Sequence, residues 1–268
     1  MKSLSVSYKD GIWSEPQSIV PEQSIALLIA DRFLLERPEL RDSFKQKFPN
    51  TRLISCSSAG EILGKKVSDS SAVAVILSFE KTPFVFATAN CRDFKNSVEL
   101  GKHLASQLDT NGLKYVMVIS DGNLINGDAI VDGIHAVLPK GIIVSGGLAG
   151  DATRFQKTLA GLDDDVQEGN VVLMGLYGSH IRITTGVKGG WDPFGPERVI
   201  TKSKGSTLHE IDGINALELY KKYLGKYSEE LPASALLFPM SVRSGDDESF
   251  IVRTILSIDD EKEIGRAH

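Results

Sequence analysis

The stretch Tyr115-Val-Met-Val-Ile-Ser-Asp-Gly-Asn123 decides the fold class of this chain. It is a short apolar run that ends in small and polar residues, which is typical of a strand covered on both faces of a sheet. A helical pattern over residues 128–138 follows, and Pro139 ends it. The next apolar run, residues 142–145, ends in Gly146-Gly147. Strand, helix and strand in this order predict an α/β layer with parallel pairing.

The chain upstream repeats the same order of elements. Residues 24–30 form another continuous apolar run, and residues 31–48 carry apolar side chains at helical spacing. Pro38 interrupts that spacing and favours two short helices. A strand over residues 52–57 then runs into the turn Ser57-Ser58-Ala59-Gly60. Before the opening stretch, the pattern predicts strands over residues 73–78 and 84–88, joined by a hairpin turn at Lys81-Thr82-Pro83, and an amphipathic helix over residues 95–108.

The pattern changes after Gly150. Strand-like runs separated by short turn signals replace the alternation of strands and helices, and two-residue turns join only antiparallel neighbours. These runs cover residues 158–162, 170–177, 181–187 and 198–203, and a helix over residues 214–224 follows. The sequence therefore predicts an α/β (α+β) fold, in which an N-terminal α/β layer with mainly parallel strands precedes a β-rich, antiparallel region with a further helix.

The charge and the composition exclude several classes of protein. The 268 residues include 30 Lys and Arg against 35 Asp and Glu, a net charge of −5, so the chain offers no basic surface for a nucleic-acid backbone. The longest strongly apolar run, residues 24–30, is far shorter than the roughly 20 residues that a membrane span requires. Cys56 and Cys91 are too few for a disulfide framework or a four-cysteine zinc site. Because the N-terminus also lacks the pattern of a signal peptide, we expect a cytoplasmic protein without membrane or nucleic-acid partners.

Three predicted strands end in turns that are rich in small residues. Because the carboxyl ends of parallel strands meet at one edge of a sheet, we expect these turns to surround a polar small-molecule pocket. Aspartates there accept hydrogen bonds from an amine, and glycine amides donate to a carboxylate. The alternative is that the turns only need residues of little bulk. The candidate ligand-binding residues are Ser57, Ser58, Asp121, Gly146, Gly147 and Asp151.

A catalytic use of the first turn is a further alternative. Cys56 or Ser57 would serve as the nucleophile of a hydrolase, and either would need a general base. No histidine stands at a telling spacing from them in the sequence. We therefore predict that the protein is not an enzyme and has no catalytic residue.

His180 is the histidine with the most suggestive position. It follows the turn Gly178-Ser179 and alternates with Arg182 along a predicted strand, so both side chains share one strand face. An imidazole there would ligate a haem iron while the guanidinium meets a propionate, whereas the alternative is the polar outer face of a hairpin. Trp191 lies in the segment Gly190-Trp-Asp-Pro-Phe-Gly195, where it would be either a plug over the core or the wall of a pocket.

The strongest signal is the order in which several motifs occur along the chain. They are Ser55-Cys-Ser-Ser-Ala-Gly-Glu61, Ser120-Asp-Gly122, Gly146-Gly-Leu-Ala-Gly-Asp151, Gly190-Trp-Asp-Pro-Phe-Gly195, Val199-Ile-Thr-Lys-Ser203 with Glu210-Ile-Asp-Gly213, Leu231-Pro-Ala-Ser-Ala-Leu-Leu-Phe-Pro239 and Val252-Arg-Thr-Ile255. In this order they resemble the FIST family of bacterial signal-input domains. The resemblance covers the chain from about residue 24 to residue 258.

The resemblance implies a sensory rather than a catalytic protein. FIST domains are proposed to bind small molecules such as amino acids and to pass their state to a histidine kinase, a cyclic-di-GMP enzyme or a chemoreceptor. One branch, the NosP-type proteins, is described as binding haem and sensing nitric oxide, and the segment from Tyr177 to Trp191 is similar to that branch. This similarity makes a haem-binding nitric oxide sensor the alternative to a sensor of another small molecule, and it favours His180 as the axial metal ligand. The candidate cofactor-binding residues, taken from their positions in the sequence, are His180, Arg182 and Trp191.

The resemblance also implies a division of the chain. It gives a FIST N-type sensory domain over residues 1–212 and the start of a truncated FIST C-type domain over residues 213–268. The C-terminal part of such proteins normally continues beyond the strand Val252-Arg-Thr-Ile255. We therefore expect the second part to be truncated or degenerate, and a pocket completed by it to lack a wall.

Overall fold

The chain folds into two compact units, Met1–Thr184 and Thr185–His268. The computed structural model describes residues 1–16, 24–186, 190–245, 250–259 and 264–267. Each unit has hydrophobic core residues of its own. Within the described ranges, no helix is long and apolar enough to cross a membrane.

In the first unit, strands form two large sheets and a small hairpin, and helices cover the sheets. The strands are β1 (Lys2–Lys9), β2 (Ile12–Trp13), β3 (Ser24–Asp31), β4 (Thr51–Ser58), β5 (Glu61–Leu63), β6 (Lys66–Ser68), β7 (Ala72–Ser78), β8 (Phe84–Asn90), β9 (Leu113–Ser120), β10 (Ile143–Leu148), β11 (Ala160–Leu162), β12 (Asp165–Gln167) and β13 (Asn170–Tyr177). The helices are α1 (Arg32–Leu35), α2 (Pro38–Lys47), α3 (Ser97–Ser106) and α4 (Gly127–His135).

The strand order shows how the two large sheets are built. One sheet runs β12-β11-β4-β3-β7-β1-β2, the other runs β10-β9-β13-β8, and β5 pairs with β6 in a separate hairpin. The predicted α/β class is confirmed, and β3–β4 and β9–β10 are parallel neighbours. The other pairs in these two sheets are antiparallel, so the strands are not mainly parallel as the sequence predicts. A continuous apolar run indicates burial on both faces and leaves the direction of the neighbouring strand open.

The two sheets stack face to face through a shared apolar layer. Along β3, Ile25 and Ile29 point into this layer while Ala26 and Leu28 point to the opposite face, as the two-residue period of a strand requires. Met174 of β13 meets the layer from the other sheet. Helices α1 and α2 cover the outer face of the larger sheet, and α3 and α4 cover the outer face of the smaller one. The first unit is therefore a four-layer αββα sandwich, which explains why β3, β7 and β13 are apolar at nearly every position.

Local sequence signals set the ends of the helices. Helix α1 ends before Pro38 and α2 begins at it, so the predicted pair of short helices is confirmed. The side chain of Asn96 accepts a hydrogen bond from the Glu99 amide at the start of α3, and Asn126 does the same for Ala129 at the start of α4.

Two local predictions are wrong. The turn Lys81-Thr82-Pro83 does not close a hairpin, because β7 pairs with β1 and β3 whereas β8 pairs with β13 in the other sheet. Residues 181–186 lie outside any strand, although Ile181 and Ile183 are half-buried between exposed neighbours. The alternation of apolar and polar residues correctly predicted that Ile181 and Ile183 are covered. It does not show whether a neighbouring strand is there to pair with this segment. Val187, the end of the predicted strand, lies outside the described residues.

The second unit is built on a sheet of short strands and one helix. Its strands are β14 (Ile200–Lys204), β15 (Thr207–Ile211), β16 (Ile214–Asn215), β17 (Met240–Val242), β18 (Ile251–Arg253), β19 (Ile255–Asp259) and β20 (Ile264–Ala267), and its helix is α5 (Ala216–Leu224). The sheet runs β14-β15-β20-β19, with β16 beside β15. Ile211, Ala216 and Leu219 form its buried apolar cluster, which joins β15 to α5. The predicted helix is thus confirmed, beginning at Ala216.

Helices α3 and α4 touch backbone to backbone at two glycines. A Cβ placed on Gly101 would lie 2.3 Å from the carbonyl oxygen of Ile130, and one placed on Gly133 would lie 2.3 Å from the carbonyl oxygen of Val98. Both distances are far shorter than a van der Waals contact. The helix pair therefore depends on the absence of side chains at these two positions.

We expect Gly101→Ala and Gly133→Ala each to destabilise the protein. Forcing the helices apart costs about 3 kcal/mol, and the better helix propensity of alanine, about 1 kcal/mol, offsets only part of it, leaving a loss of about 2 kcal/mol. Urea unfolding measures the loss. Gly147→Ala is the matched control, because a Cβ there meets nothing within 4 Å. A variant at Gly101 as stable as the Gly147 control would contradict the close contact.

Candidate functional site

The carboxyl ends of β3, β4, β9 and β10 meet at one edge of the first unit, here called the turn edge. The amide of Gly150 donates to the Ser57 carbonyl at 2.9 Å, and the amide of Ala149 donates to the Ser120 carbonyl at 2.7 Å. These bonds join the turn after β10 to the ends of β4 and β9. The three turns that the sequence analysis singled out therefore lie together, although β4 and β9 belong to different sheets.

Ser57 is buried within this edge. Its hydroxyl accepts a hydrogen bond from the Leu159 amide at 2.9 Å, and its own amide donates to the Leu159 carbonyl. Thr158, the preceding residue, accepts from the Gly122 amide at 2.9 Å. Residues 158 and 159 thus connect the turns after β4 and β9, and Ser57 holds this connection in place.

Asp121 has no exposed surface, with a relative accessibility of 0%. One of its carboxylate oxygens accepts from the amides of Asn123 and Leu124, at 2.8 and 2.6 Å, and the other accepts from the Gly169 amide at 3.2 Å. The carboxylate therefore shapes the turn after β9 and links it to the start of β13.

Ser58, Gly146 and Gly147 lie nearer the surface of the turn edge. The Ser58 hydroxyl donates to the buried Glu61 carboxylate at 2.6 Å, which leaves the lone pairs of the hydroxyl oxygen free to accept. A Cβ on Gly146 would lie 1.8 Å from the Val118 carbonyl oxygen, so this position requires glycine. Gly147, in contrast, is exposed and faces open space.

Asp151 binds two arginines and two backbone amides. Its Oδ1 accepts from Arg32 Nε at 2.9 Å and from Arg154 Nε at 2.7 Å, and its Oδ2 accepts from the amides of Gln156 and Lys157 at 3.2 and 3.1 Å. Burial alone raises the pKa of the Asp151 carboxyl. The hydrogen bonds from Arg154 and from the two amides outweigh that effect, so the pKa lies below its ordinary value.

Further ion pairs extend from Asp151 toward the solvent. Arg154 Nη2 reaches Asp31 Oδ2 at 3.3 Å, and Glu36 accepts from Arg32 Nη1 at 3.4 Å and from Lys157 Nζ at 3.0 Å. We call this group the Asp151 cluster. Its members are Asp31, Arg32, Glu36, Asp151, Arg154 and Lys157.

Phe33 covers one side of the Asp151 cluster. Its ring is about half exposed, and the guanidinium carbons of Arg32 and Arg154 lie 4.3 and 4.9 Å from the ring centre. Cation–π contacts of this kind fix the planes of both guanidinium groups. The turn edge therefore carries charges of both signs beside an exposed aromatic ring.

Asp151 was predicted from the sequence, whereas the other members of the cluster were not. Asp31 follows the apolar run of β3 directly, which is the signal that singled out the other turns. Arg32 had no such signal, because its ion pair with Asp151 spans 119 residues of sequence. Arg154 lies only three residues after Asp151, a spacing that could have indicated their ion pair, whereas its contact with Asp31 spans 123 residues.

The predicted haem-binding residues come later in the sequence than the segments that form the turn edge. His180 and Arg182 are exposed and follow β13, while Ile181 and Ile183 between and beyond them are half-buried. Trp191 is exposed in the second unit. Among the described residues, no group of three or more His, Cys, Asp and Glu side chains is arranged to hold a metal ion.

Cys56 lies in the apolar layer between the sheets. Burial there raises the pKa of its thiol to about 12, so the thiolate form is suppressed near neutral pH. Cys91, the other cysteine, also has a raised pKa, first because of burial and then because of the charge of Asp121.

Comparison with known proteins gives two family matches that follow one another along the chain. The model of the FIST N domain matches residues 24–214, and the model of the FIST C domain matches residues 216–265. An uncharacterized protein of Methanocaldococcus jannaschii is 27% identical over 251 residues, which cover 85% of this chain and 46% of that relative. The chain thus spans about half the length of this relative.

We expect Asp151→Asn to lower the free energy of unfolding at neutral pH by about 3 kcal/mol, because it removes the charge that compensates two arginines at a buried position. A carboxyl whose pKa is lowered by folding stabilises the folded state above its unfolded pKa of about 3.9, and that contribution is lost as the pH falls through the folded pKa. Between about pH 5 and about pH 2 the wild type should therefore lose more stability than the variant.

Urea unfolding at a series of pH values measures both effects. Asp164→Asn, at the exposed ion pair with Lys45, is the control and should change stability little. Equal losses of stability on acidification in the wild type and Asp151→Asn would show that Asp151 does not provide the stabilising charge.

Proposed function

Because the chain belongs to the FIST family, whose domains are associated with sensing in signal transduction, we propose that it is a non-enzymatic sensory module that binds a small ligand at the turn edge. Ligand binding there would regulate a separate signalling protein. The proposed ligand is a zwitterion of the size of an amino acid.

The Asp151 cluster is the observation that carries this proposal. It places carboxylates and guanidinium groups within a few ångströms of each other at the ends of strands from both sheets. An amino acid carries one group of each sign, and each group finds an opposite charge in the cluster. The exposed ring of Phe33 adds an apolar surface for a side chain.

The candidate ligand residues have different roles in this proposal. Ser57, Asp121 and Asp151 are buried, and their hydrogen bonds hold the turns and arginines beneath the ligand. Ser58, Gly146 and Gly147 lie nearer the surface, where a hydroxyl oxygen and an exposed backbone are available to the ligand. Rigid support below and accessible groups above are what a pre-organised binding site requires.

Two observations support a sensory role without catalysis. The Cys56 thiol is buried with its pKa raised to about 12, so it is a poor nucleophile. The Ser57 hydroxyl is buried and accepts a backbone hydrogen bond. Both side chains are thus buried, whereas covalent catalysis needs an accessible and activated nucleophile.

The family suggests the class of partner. A histidine kinase, a cyclic-di-GMP enzyme or a chemoreceptor would receive the signal. The interaction with this partner would take place in the cytoplasm. Because the turn edge joins both sheets, a ligand bound there would stabilise the contact between the end of β4 and the end of β9. This change is what a partner that docks on the first unit would detect.

The proposal predicts that at least one of the twenty L-amino acids binds the protein. At a concentration of about 100 times its Kd, a ligand stabilises the folded state by about 2.7 kcal/mol, which raises Tm by about 5 °C or more. Thermal unfolding identifies the amino acid, and isothermal titration confirms it. Acetate and methylamine, which each carry only one of the two charges, are the controls. If no amino acid changes Tm or releases heat, the amino-acid version is wrong.

Haem is the second candidate ligand, and the exposed imidazole of His180 at the end of β13 favours it. Arg182 is also exposed, and its guanidinium would pair with a propionate. The fit is partial, because Thr184, the next exposed residue, is polar, while the apolar residues Ile181 and Ile183 are half-buried. When bound, haem would supply an iron that binds nitric oxide.

The haem hypothesis predicts a Soret band after addition of hemin that differs from that of free hemin and shifts with nitric oxide. His180→Ala should lose this band, because the imidazole would be the axial ligand. His135→Ala, which changes another histidine of the first unit, is the control. A spectrum identical to that of free hemin would reject haem binding.

A further inference from the structure

Arg154 divides its guanidinium between two carboxylates that differ in exposure. Its Nε donates to Asp151 Oδ1 at 2.7 Å, and the Asp151 side chain is only 1% exposed. Its Nη2 reaches Asp31 Oδ2 at 3.3 Å, where the side chains of Arg154 and Asp31 are 27% and 14% exposed. The inner contact is short and buried, whereas the outer contact is long and partly open to water. The outer ion pair is therefore the weaker of the two.

Asp31 is held in place by only one of its two carboxylate oxygens. Its Oδ1 accepts from the Phe33 amide at 2.8 Å, which fixes the carboxylate at the start of α1. Ser58 is its register partner on the parallel strand β4. The Oδ2 atom, which faces Arg154, can change partners while Asp31 itself stays in position.

We propose, on the basis of the proposed function, that a zwitterionic ligand enters the outer ion pair and takes over both of its partners. The ligand's ammonium group replaces Arg154 on Asp31 Oδ2, and its carboxylate binds the freed end of the Arg154 guanidinium. Asp31 and Arg154 thus become the two residues that determine specificity, one for each charge of the ligand.

The exchange costs little and gains two charged contacts. The ion pair that opens is partly solvated, so its loss is small. Arg154 keeps its buried bond to Asp151, which holds the guanidinium while Nη1 and Nη2 present a planar fork to a carboxylate. No charge is left without a partner, because the ligand supplies one group of each sign.

The balance of charge in the Asp151 cluster argues against a ligand with a single charge. Three carboxylates, on Asp31, Glu36 and Asp151, stand against three cations. A lone anion at Arg154 would leave the Asp31 carboxylate unpaired beside it, and a lone cation at Asp31 would do the same to the Arg154 fork. A zwitterion avoids both penalties.

The test combines two variants with blocked forms of the same probe. The probes are the L-amino acid with the highest affinity among the twenty, its N-acetyl derivative and its carboxamide. We expect the wild type to bind the free amino acid about 10 to 100 times more tightly than either derivative, because each derivative loses one charge-assisted contact.

Each variant should abolish the preference for the free amino acid over the one derivative that lacks the charge bound by the replaced side chain. In Asp31→Asn, which keeps an oxygen for the Phe33 amide, the amino acid should bind no more tightly than the N-acetyl derivative, whose own affinity should not fall because the charge of Asp31 no longer opposes its carboxylate. In Arg154→Gln, the affinity for the amino acid should fall to that for the carboxamide. Binding of the blocked derivative by each variant shows that the variant is folded, so a loss of discrimination is not a loss of structure.

Arg52→Gln is the matched control, because it removes an arginine from a half-exposed ion pair with Asp163 at the opposite end of β4. It should leave all three affinities unchanged. If the wild type binds amino acids and both variants keep its discrimination, the assignment of Asp31 and Arg154 is wrong while the proposed function stands. If the wild type binds no amino acid, both the proposed function and this assignment are wrong.

Discussion

The apolar layer between the two sheets holds the whole first unit together. Ile25, Ile29 and Met174 contribute to it from opposite sides, and each sheet must also bury its outer face under a pair of helices. Because both sheets end at the same level, the turns after β4, β9 and β10 meet at one edge. The turn edge exists only because the sheets are stacked, since β4 and β9 belong to different sheets. A ligand bound there would touch both sheets at once.

The long apolar runs could be assigned to strands from the sequence, whereas pairing could not, and at residues 181–186 the pattern predicted burial but wrongly indicated a strand. The apolar runs of β3, β9 and β13 and the interruption of the helical pattern at Pro38 all correspond to elements of the structure. The hairpin predicted at Lys81-Thr82-Pro83 is absent, because a turn between two strand-like runs does not show whether the two strands pair in one sheet. Polar turn residues at strand ends predicted that the three turns lie together, and their backbone hydrogen bonds confirm this. Arg32 could not be found in this way, because an ion pair between segments more than a hundred residues apart leaves no local pattern, whereas Arg154 lies only three residues from its partner Asp151.

At the turn edge, the residues that hold the turns in place differ from the residues that solvent can reach. Asp121 and Asp151 were both predicted to meet a ligand directly, and the structure places them under the surface with their oxygens bound to backbone amides and, for Asp151, to arginines. This arrangement fixes the geometry of the edge before any ligand arrives. The groups that remain partly exposed, on Asp31 and Arg154, lie one step further out. In this chain the aspartates after buried strands therefore hold the turn edge from below its surface.

The boundary between the two compact units has a consequence for how such proteins diversify. The units divide between Thr184 and Thr185, whereas the two family models divide at about residue 215. β14 and β15 thus belong by sequence to the N-terminal model, yet Ile211 packs with Ala216 and Leu219 of the C-terminal one. Genetic exchange at the sequence boundary would separate Ile211 from Ala216 and Leu219 and so divide this small core. Recombination that preserves folding would instead fall near residue 184, so the inherited module and the folding module of this chain are not the same segment.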